Sequence, residues 1–114
     1  AFVRVHANGS ENQSVNGIVT ICQTKKNPYN ADLYQYSKEL SSLVLDEMVA
    51  VTGAKKLYVW EVDTMSGINW CQVPVTIVEM GFMSNPAEDE LMATEEYRQK
   101  LAEGIANGID KYFA

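Results

Sequence analysis

A single carboxylate set inside an apolar, β-branched run restricts what this chain can become. The run is Val75-Thr76-Ile77-Val78-Glu79-Met80-Gly81-Phe82-Met83-Ser84-Asn85-Pro86. Residues of this kind fill a pleated, buried surface, so the segment reads as a strand deep in a sheet. A glycine and an Asn-Pro pair then end the strand and start a helix. Asn85 stands at the cap, Pro86 at the first helical position and Glu88 at the third. Glu79 does not fit the pattern. Desolvating an unpaired carboxylate costs several kcal/mol or drives its pKa upward. Glu79 is therefore either paired with a cation or backbone amides, or kept for chemistry.

The rest of the chain alternates strands and helices. Residues 1–7 read as a strand, followed by a polar turn region through Ser14, and residues 17–22 as a second, short β-branched strand. Residues 25–30, with Pro28, read as a loop. From Ala31 to Thr52, Leu33, Tyr36, Leu40, Leu43, Met48 and Val51 recur at near-helical steps, which predicts a helix with one apolar stripe, stopped by Gly53. Residues 56–62 read as a third strand, 63–72 as a loop and 73–82 as the fourth strand. A short helix ends near Ala93. A last helix from Glu95 to Phe113 places Tyr97, Leu101, Ile105 and Ile109 on one side, thinned by Ala102, Gly104 and Gly108 for close approach to a sheet. The expected fold class is α/β, a mostly parallel sheet flanked by helices.

Composition narrows the function classes. At 114 residues with 46% hydrophobic content, the chain is globular and amounts to one domain or part of one. It opens directly on a strand, without the pattern of a secretory signal, which suggests a piece of a larger domain. No apolar run approaches the roughly 18–20 residues of a membrane span. The net charge is −6 and the nine Lys and Arg form no basic stripe, which argues against nucleic-acid binding. Glu88, Asp89, Glu90, Glu95 and Glu96 read as a solvated face and a helix-start charge bias. Cys22 and Cys71 are expected as two separate buried thiols, since they lie beside apolar segments and form no C-x-x-C.

The one histidine, His6, ends the first strand. It is either a strand-end histidine bonded to a loop carbonyl or a metal ligand. In open α/β sheets ligands bind beyond the carboxyl ends of the strands, so parallel, neighbouring first and fourth strands would bring His6 and Glu79 to one edge. Asn8 is a candidate for substrate contact or a turn residue before Gly9. Asn69 is a candidate for lining a groove, with Trp70 expected to pack beneath its loop. A glycosidase would need a second carboxylate at a defined separation, and Glu61 is the candidate partner for Glu79. An alternating strand explains Glu61 as a solvent-facing residue.

Three segments, in order, resemble the zinc-dependent N-acetylmuramoyl-L-alanine amidases of the type-3 family. Val3-Arg4-Val5-His6-Ala7-Asn8 is similar to the family's strand ending in His-Ala-Asn, and Gly17-Ile18-Val19-Thr20 to its next strand. Val73 through Pro86, with Glu79 at its centre, is similar to its most specific block, and Leu101 through Ile109 fits its tail helix. The resemblance covers nearly all 114 residues and implies the C-terminal part of a three-layer catalytic domain. It implies zinc as cofactor, with His6 the last of three ligands, and Glu79 as the catalytic carboxylate. The implied substrate is peptidoglycan, cut between N-acetylmuramic acid and L-alanine of the stem peptide, in the extracellular space or cell envelope. The two earlier ligands, a histidine in a Gly-His-Gly turn and a glutamate on a following helix, have no counterpart in this chain. The fragment is therefore expected to be inactive alone, and to dimerise or associate with the missing N-terminal half through its exposed sheet. A degenerate fold that binds peptidoglycan or a protein without chemistry is the alternative.

Overall fold

Two helices that share a flat apolar face need a sheet to cover, and the chain supplies one of four strands. The computed structural model describes residues 1–114. The strands are β1 (Phe2–Asn8), β2 (Ile18–Cys22), β3 (Lys56–Glu61) and β4 (Val75–Phe82), in the spatial order β1-β4-β2-β3. β1 runs parallel to β4 and β2 parallel to β3, whereas β2 and β4 are antiparallel. The mostly parallel sheet thus consists of two parallel pairs joined back to back. The carboxyl ends of β1 and β4 lie at one end of the sheet and those of β2 and β3 at the other.

A 3₁₀ turn (Ala31–Leu33) leads into α1 (Tyr34–Thr52), which Gly53 ends in the left-handed conformation at φ 71°. A short helix α2 (Ser66–Asn69) lies in the stretch expected to be loop, and α3 (Pro86–Met92) and α4 (Glu95–Phe113) follow β4. α1 and α4 cover one face of the sheet. There Ile18 and Val78 pack with Leu40, Val44, Leu45, Met48, Met92, Tyr97 and Leu101. The opposite face buries Val19, Ile21, Val75 and Ile77 beneath Ile68 of α2. Only α2 and its flanking loops cover that second face.

The buried stripe of α1 departs from the expected one. It consists of Ser37, Leu40, Ser41, Val44, Leu45 and Met48, while Tyr36 is exposed and Leu33, Leu43 and Val51 are half-buried. Two serines on the buried face defeat an apolar period, because their polarity is absorbed by hydrogen bonds rather than avoided. The Val75 amide donates to Ser37 Oγ (3.0 Å), and Ser41 Oγ donates to Thr76 Oγ1 (2.8 Å). Thr20 Oγ1 in turn donates to the Ser41 carbonyl (2.9 Å), so the helix is pinned to β2 and β4 by polar ties inside the core.

Both cysteines are free thiols, on opposite faces of the sheet. Cys22 contacts Ser41 of α1, and burial pushes its thiol up to about 11. Cys71 packs against the cluster under α2. Trp70, expected beneath its loop, is 79% exposed instead. Ile68 takes the covering position, and the short α2 turn carries the indole outward.

Candidate functional site

The parallel pairing of β1 and β4 sets His6 directly against Glu79. Side chains alternate across a strand, so Glu79 shares the face of Ile77 and His6 the same side of β1. The His6 Nδ1 to Glu79 Oε1 distance is 3.8 Å. The Glu79 side chain is 13% exposed and that of His6 43%, so a sheltered carboxylate meets an imidazole open to solvent.

Glu79 is poorly compensated. Its Oε2 is buried without a hydrogen-bond partner. Burial pushes its carboxyl above the ordinary range, and the charge of His6 offsets this only in part. No lysine, arginine or backbone amide holds Glu79, and its charged neighbour is His6, at 3.8 Å. A carboxylate with a raised pKa and an unused oxygen, toward the carboxyl end of an interior strand, is equipped to take up and return a proton.

A β-bulge follows immediately. His6 pairs with Glu79, yet Asn8 pairs with Phe82, so β4 spends one more residue than β1 over this interval. The β2–β4 ladder also ends here, at Val19 and Glu79. Beyond it sits Glu88, which was expected on a solvated face but is only 6% exposed. Its Oε1 accepts the Phe82 amide (2.6 Å), and its two oxygens accept the Gly17 amide (3.2 and 3.0 Å). The burial is possible because backbone N–H groups, rather than water, satisfy the charge. The helix start after Asn85 concealed this role. In a capping box the third-position acid turns back to the cap amide, whereas Glu88 reaches past it to β4 and β2.

The remaining candidates divide between the two ends of the sheet. Asn8 stands at the end of β1, two residues past His6, and its Oδ1 accepts the Gly9 amide (2.8 Å), a turn contact. Asn69 lies among groups at the carboxyl ends of β2 and β3. Its Oδ1 accepts from Asn27 Nδ2 (2.8 Å) and its Nδ2 donates to the Asp63 carbonyl (2.8 Å). Asp63 also accepts the Thr24 amide (2.9 Å), Thr24 Oγ1 (2.6 Å) and Asn27 Nδ2 (2.7 Å). The structure therefore does not bring Asn69 to His6 and Glu79, and its amide is occupied by loop closure. Glu61 is excluded as a carboxylate partner. It faces α1, where Lys38 Nζ (2.7 Å) and the Tyr34 hydroxyl (3.0 Å) hold it, across the sheet from Glu79.

A catalytic zinc site takes three protein ligands and keeps one position open. No group of three or more His, Cys, Asp or Glu side chains is placed to hold a metal. His6, with its half-exposed ring, suits one donor position, but these residues do not complete the set. No helix is long and apolar enough to cross a membrane.

The family model described as N-acetylmuramoyl-L-alanine amidase matches residues 1–111. The uncharacterized protein YqiI of Bacillus subtilis (strain 168) is 32% identical over 112 residues, covering 98% of this chain and 50% of its own length. N-acetylmuramoyl-L-alanine amidase AmiC of Neisseria meningitidis serogroup B is 34% identical over 76 residues, 67% of this chain and 18% of that protein. The CwlD amidase of Clostridioides difficile, solved in complex with the GerS lipoprotein, has a TM-score of 0.86 at 30% identity, covering 97% of this chain and 53% of CwlD. The chain thus spans about half the length of YqiI and of CwlD, and its α/β fold matches the latter as a partial domain.

Proposed function

The chain belongs to the N-acetylmuramoyl-L-alanine amidase family, and on that premise we propose that its His6–Glu79 edge is part of a zinc-dependent peptidoglycan hydrolase. The bond cut is the amide between N-acetylmuramic acid and L-alanine of the stem peptide. The observation that carries this reading is Glu79 itself, a sheltered carboxylate with a raised pKa and an unpartnered oxygen, 3.8 Å from an imidazole. His6 serves as one metal donor, and the other donors come from outside these residues. Zinc, when bound, supplies Lewis-acid polarisation of the scissile carbonyl. Glu79 takes the proton of the attacking water and passes it to the leaving amine of L-alanine, and its raised pKa brings both transfers nearer to neutral pH. Asn8 lies close enough in sequence and space to contact substrate beside His6; Asn69 serves its loop.

The site needs donors the chain does not hold, so the 114 residues alone should cleave nothing. β1 is the surface on which the missing half, or a second copy, docks. The place of action is the cell envelope, where the polymer is.

Joining the chain to the segment that precedes the matched region in a relative should restore release of stem peptides with a free L-alanine amine, read by mass spectrometry. Glu79→Gln in that assembly should lower kcat by about 10²–10⁴-fold. Full activity of Glu79→Gln would refute the reading, and chelator-sensitive cleavage by the 114 residues alone would refute the need for donors from outside them. The incomplete donor set favours a second reading, a peptidoglycan- or protein-binding module without chemistry. CwlD, solved with a lipoprotein partner, gives that reading a precedent for a protein partner. It requires wall or partner binding that survives Glu79→Gln in a joined protein with no cleavage.

A further inference from the structure

Glu79 stands at a place where the sheet comes apart. On one side β4 leaves the register of β1 through the bulge between Glu79 and Phe82. On the other the β2–β4 ladder stops at the Val19–Glu79 pair. A carboxylate at such a junction is aimed only as well as the backbone behind it is held, and bulges are devices that re-aim side chains.

The group that holds this backbone is Glu88. Its carboxylate lies between the two diverging strands, taking the Phe82 amide at 2.6 Å and the Gly17 amide at 3.0 Å, where ladder bonds would otherwise stand. The strands are shaped to receive it. A Cβ at Gly81, inside the bulge, would lie 3.0 Å from Glu88 Cγ and 3.1 Å from its carboxyl carbon. Gly17 turns into β2 at φ 121°, a conformation that side chains rarely adopt, with its amide directed at the carboxylate. Asn85 Oδ1 accepts the Glu88 amide (3.0 Å) and so fixes the base of the side chain. Pairing resumes beyond the bulge, where the Met83 amide donates to the Asn8 carbonyl (2.8 Å).

We propose that Glu88 is the positioning residue for Glu79: its buried carboxylate clamps the ends of β4 and β2 and sets the bulge that directs the Glu79 side chain toward His6. The inference rests on the hydrolase reading for its purpose, but its geometry stands without metal or substrate. Glu88 touches no reacting atom and acts only through the backbone of β4. Like-for-like charge is not enough for the role, since the carboxylate must present acceptors to two amides at once.

Nuclear Overhauser contacts between the His6 ring and the Glu79 side chain in the 114-residue chain test this directly. Glu88→Ala should abolish those contacts and move the Phe82 and Gly17 amide signals. Gly104→Ala, which loosens the distant α1–α4 packing, should lower the melting temperature yet leave the contacts intact. Glu88→Gln keeps an acceptor for Phe82 but turns a donor group on Gly17, and should weaken the same contacts if the alanine variant does not fold. Wild-type contact intensity in either folded Glu88 variant overturns the proposal. Lost contacts together with a joined protein that cleaves no peptidoglycan would leave the positioning role standing and sink the hydrolase reading instead.

Discussion

Glu79 holds its charge at a thermodynamic cost. Its folded pKa lies above the ordinary value of 4.5 because burial disfavours the ionised form. Between that value and the raised one the native state binds more protons than the unfolded chain, so stability falls as pH rises through this window. Glu79→Gln should therefore unfold at higher urea than the wild type at neutral pH, with the advantage shrinking as the pH drops into the acid range. Parallel unfolding midpoints across pH would show that Glu79 ionises without penalty. A residue that weakens the fold while sitting beside an open imidazole is the pattern of a group retained for chemistry. The charge in the apolar run was legible in the sequence because it broke a rule. Glu88 was hidden because it obeyed one: an acid at the third position of an Asn-Pro helix start needs no further explanation. Only the fold shows that its carboxylate faces inward, toward two strand amides.

At the level of elements, the strands and the two long helices were readable from period and punctuation, since Gly53 and Asn85-Pro86 mark real ends. The buried face of α1 was not, because Ser37 and Ser41 fill core positions by bonding to β4. α2 is one helical turn, too short to have a period. The two glycines of α4 meet α1 rather than the sheet, and Ala102 is exposed. A Cβ at Gly104 would lie 2.5 Å from Met48 Cα, and one at Gly108 2.6 Å from Val44 Cα. Such distances leave no room for a methyl group, and both neighbours are backbone. Gly104→Ala or Gly108→Ala should each destabilise by about 1–2 kcal/mol, overpacking outweighing the helix preference of alanine. Urea denaturation measures this, and a stabilised variant would mean that α4 floats free of α1.

Taken whole, the molecule is a thin slab, 39 × 34 × 18 Å. One face of its sheet carries two long helices and the other a single turn of helix. β1 lies at the margin of the sheet with nothing beyond it, exposing Phe2 and Val5, each 46% open. Unpaired backbone groups beside apolar side chains make an edge that recruits further strands. The chain should self-associate through β1 in the absence of the remaining half, and Val5→Lys should return it to a monomer by light scattering. Association unchanged by the lysine would place the interface elsewhere. The partial match to a longer domain was readable from the ligand segments without a counterpart, and the parallel pairs from the alternation of strands and helices, whereas the one antiparallel pair was not. Antiparallel contact between β2 and β4 depends on how the crossovers pack, which no local pattern records.

That antiparallel contact also divides the molecule's freedom to change. The His6–Glu79 end is bounded by residues 9–17 and 83–85, and every residue inserted there would shift the junction that Glu88 closes. The far end, where Asp63 gathers Thr24, Asn27 and Asn69 into a closed loop knot, lies the length of a strand away. At that rim the Trp70 side chain stands open, while Asn30 holds the carbonyls of Ile68 and Cys71 on either side of it. A label on the Trp70 indole therefore has a point of attachment at the opposite end of β4 from Glu79.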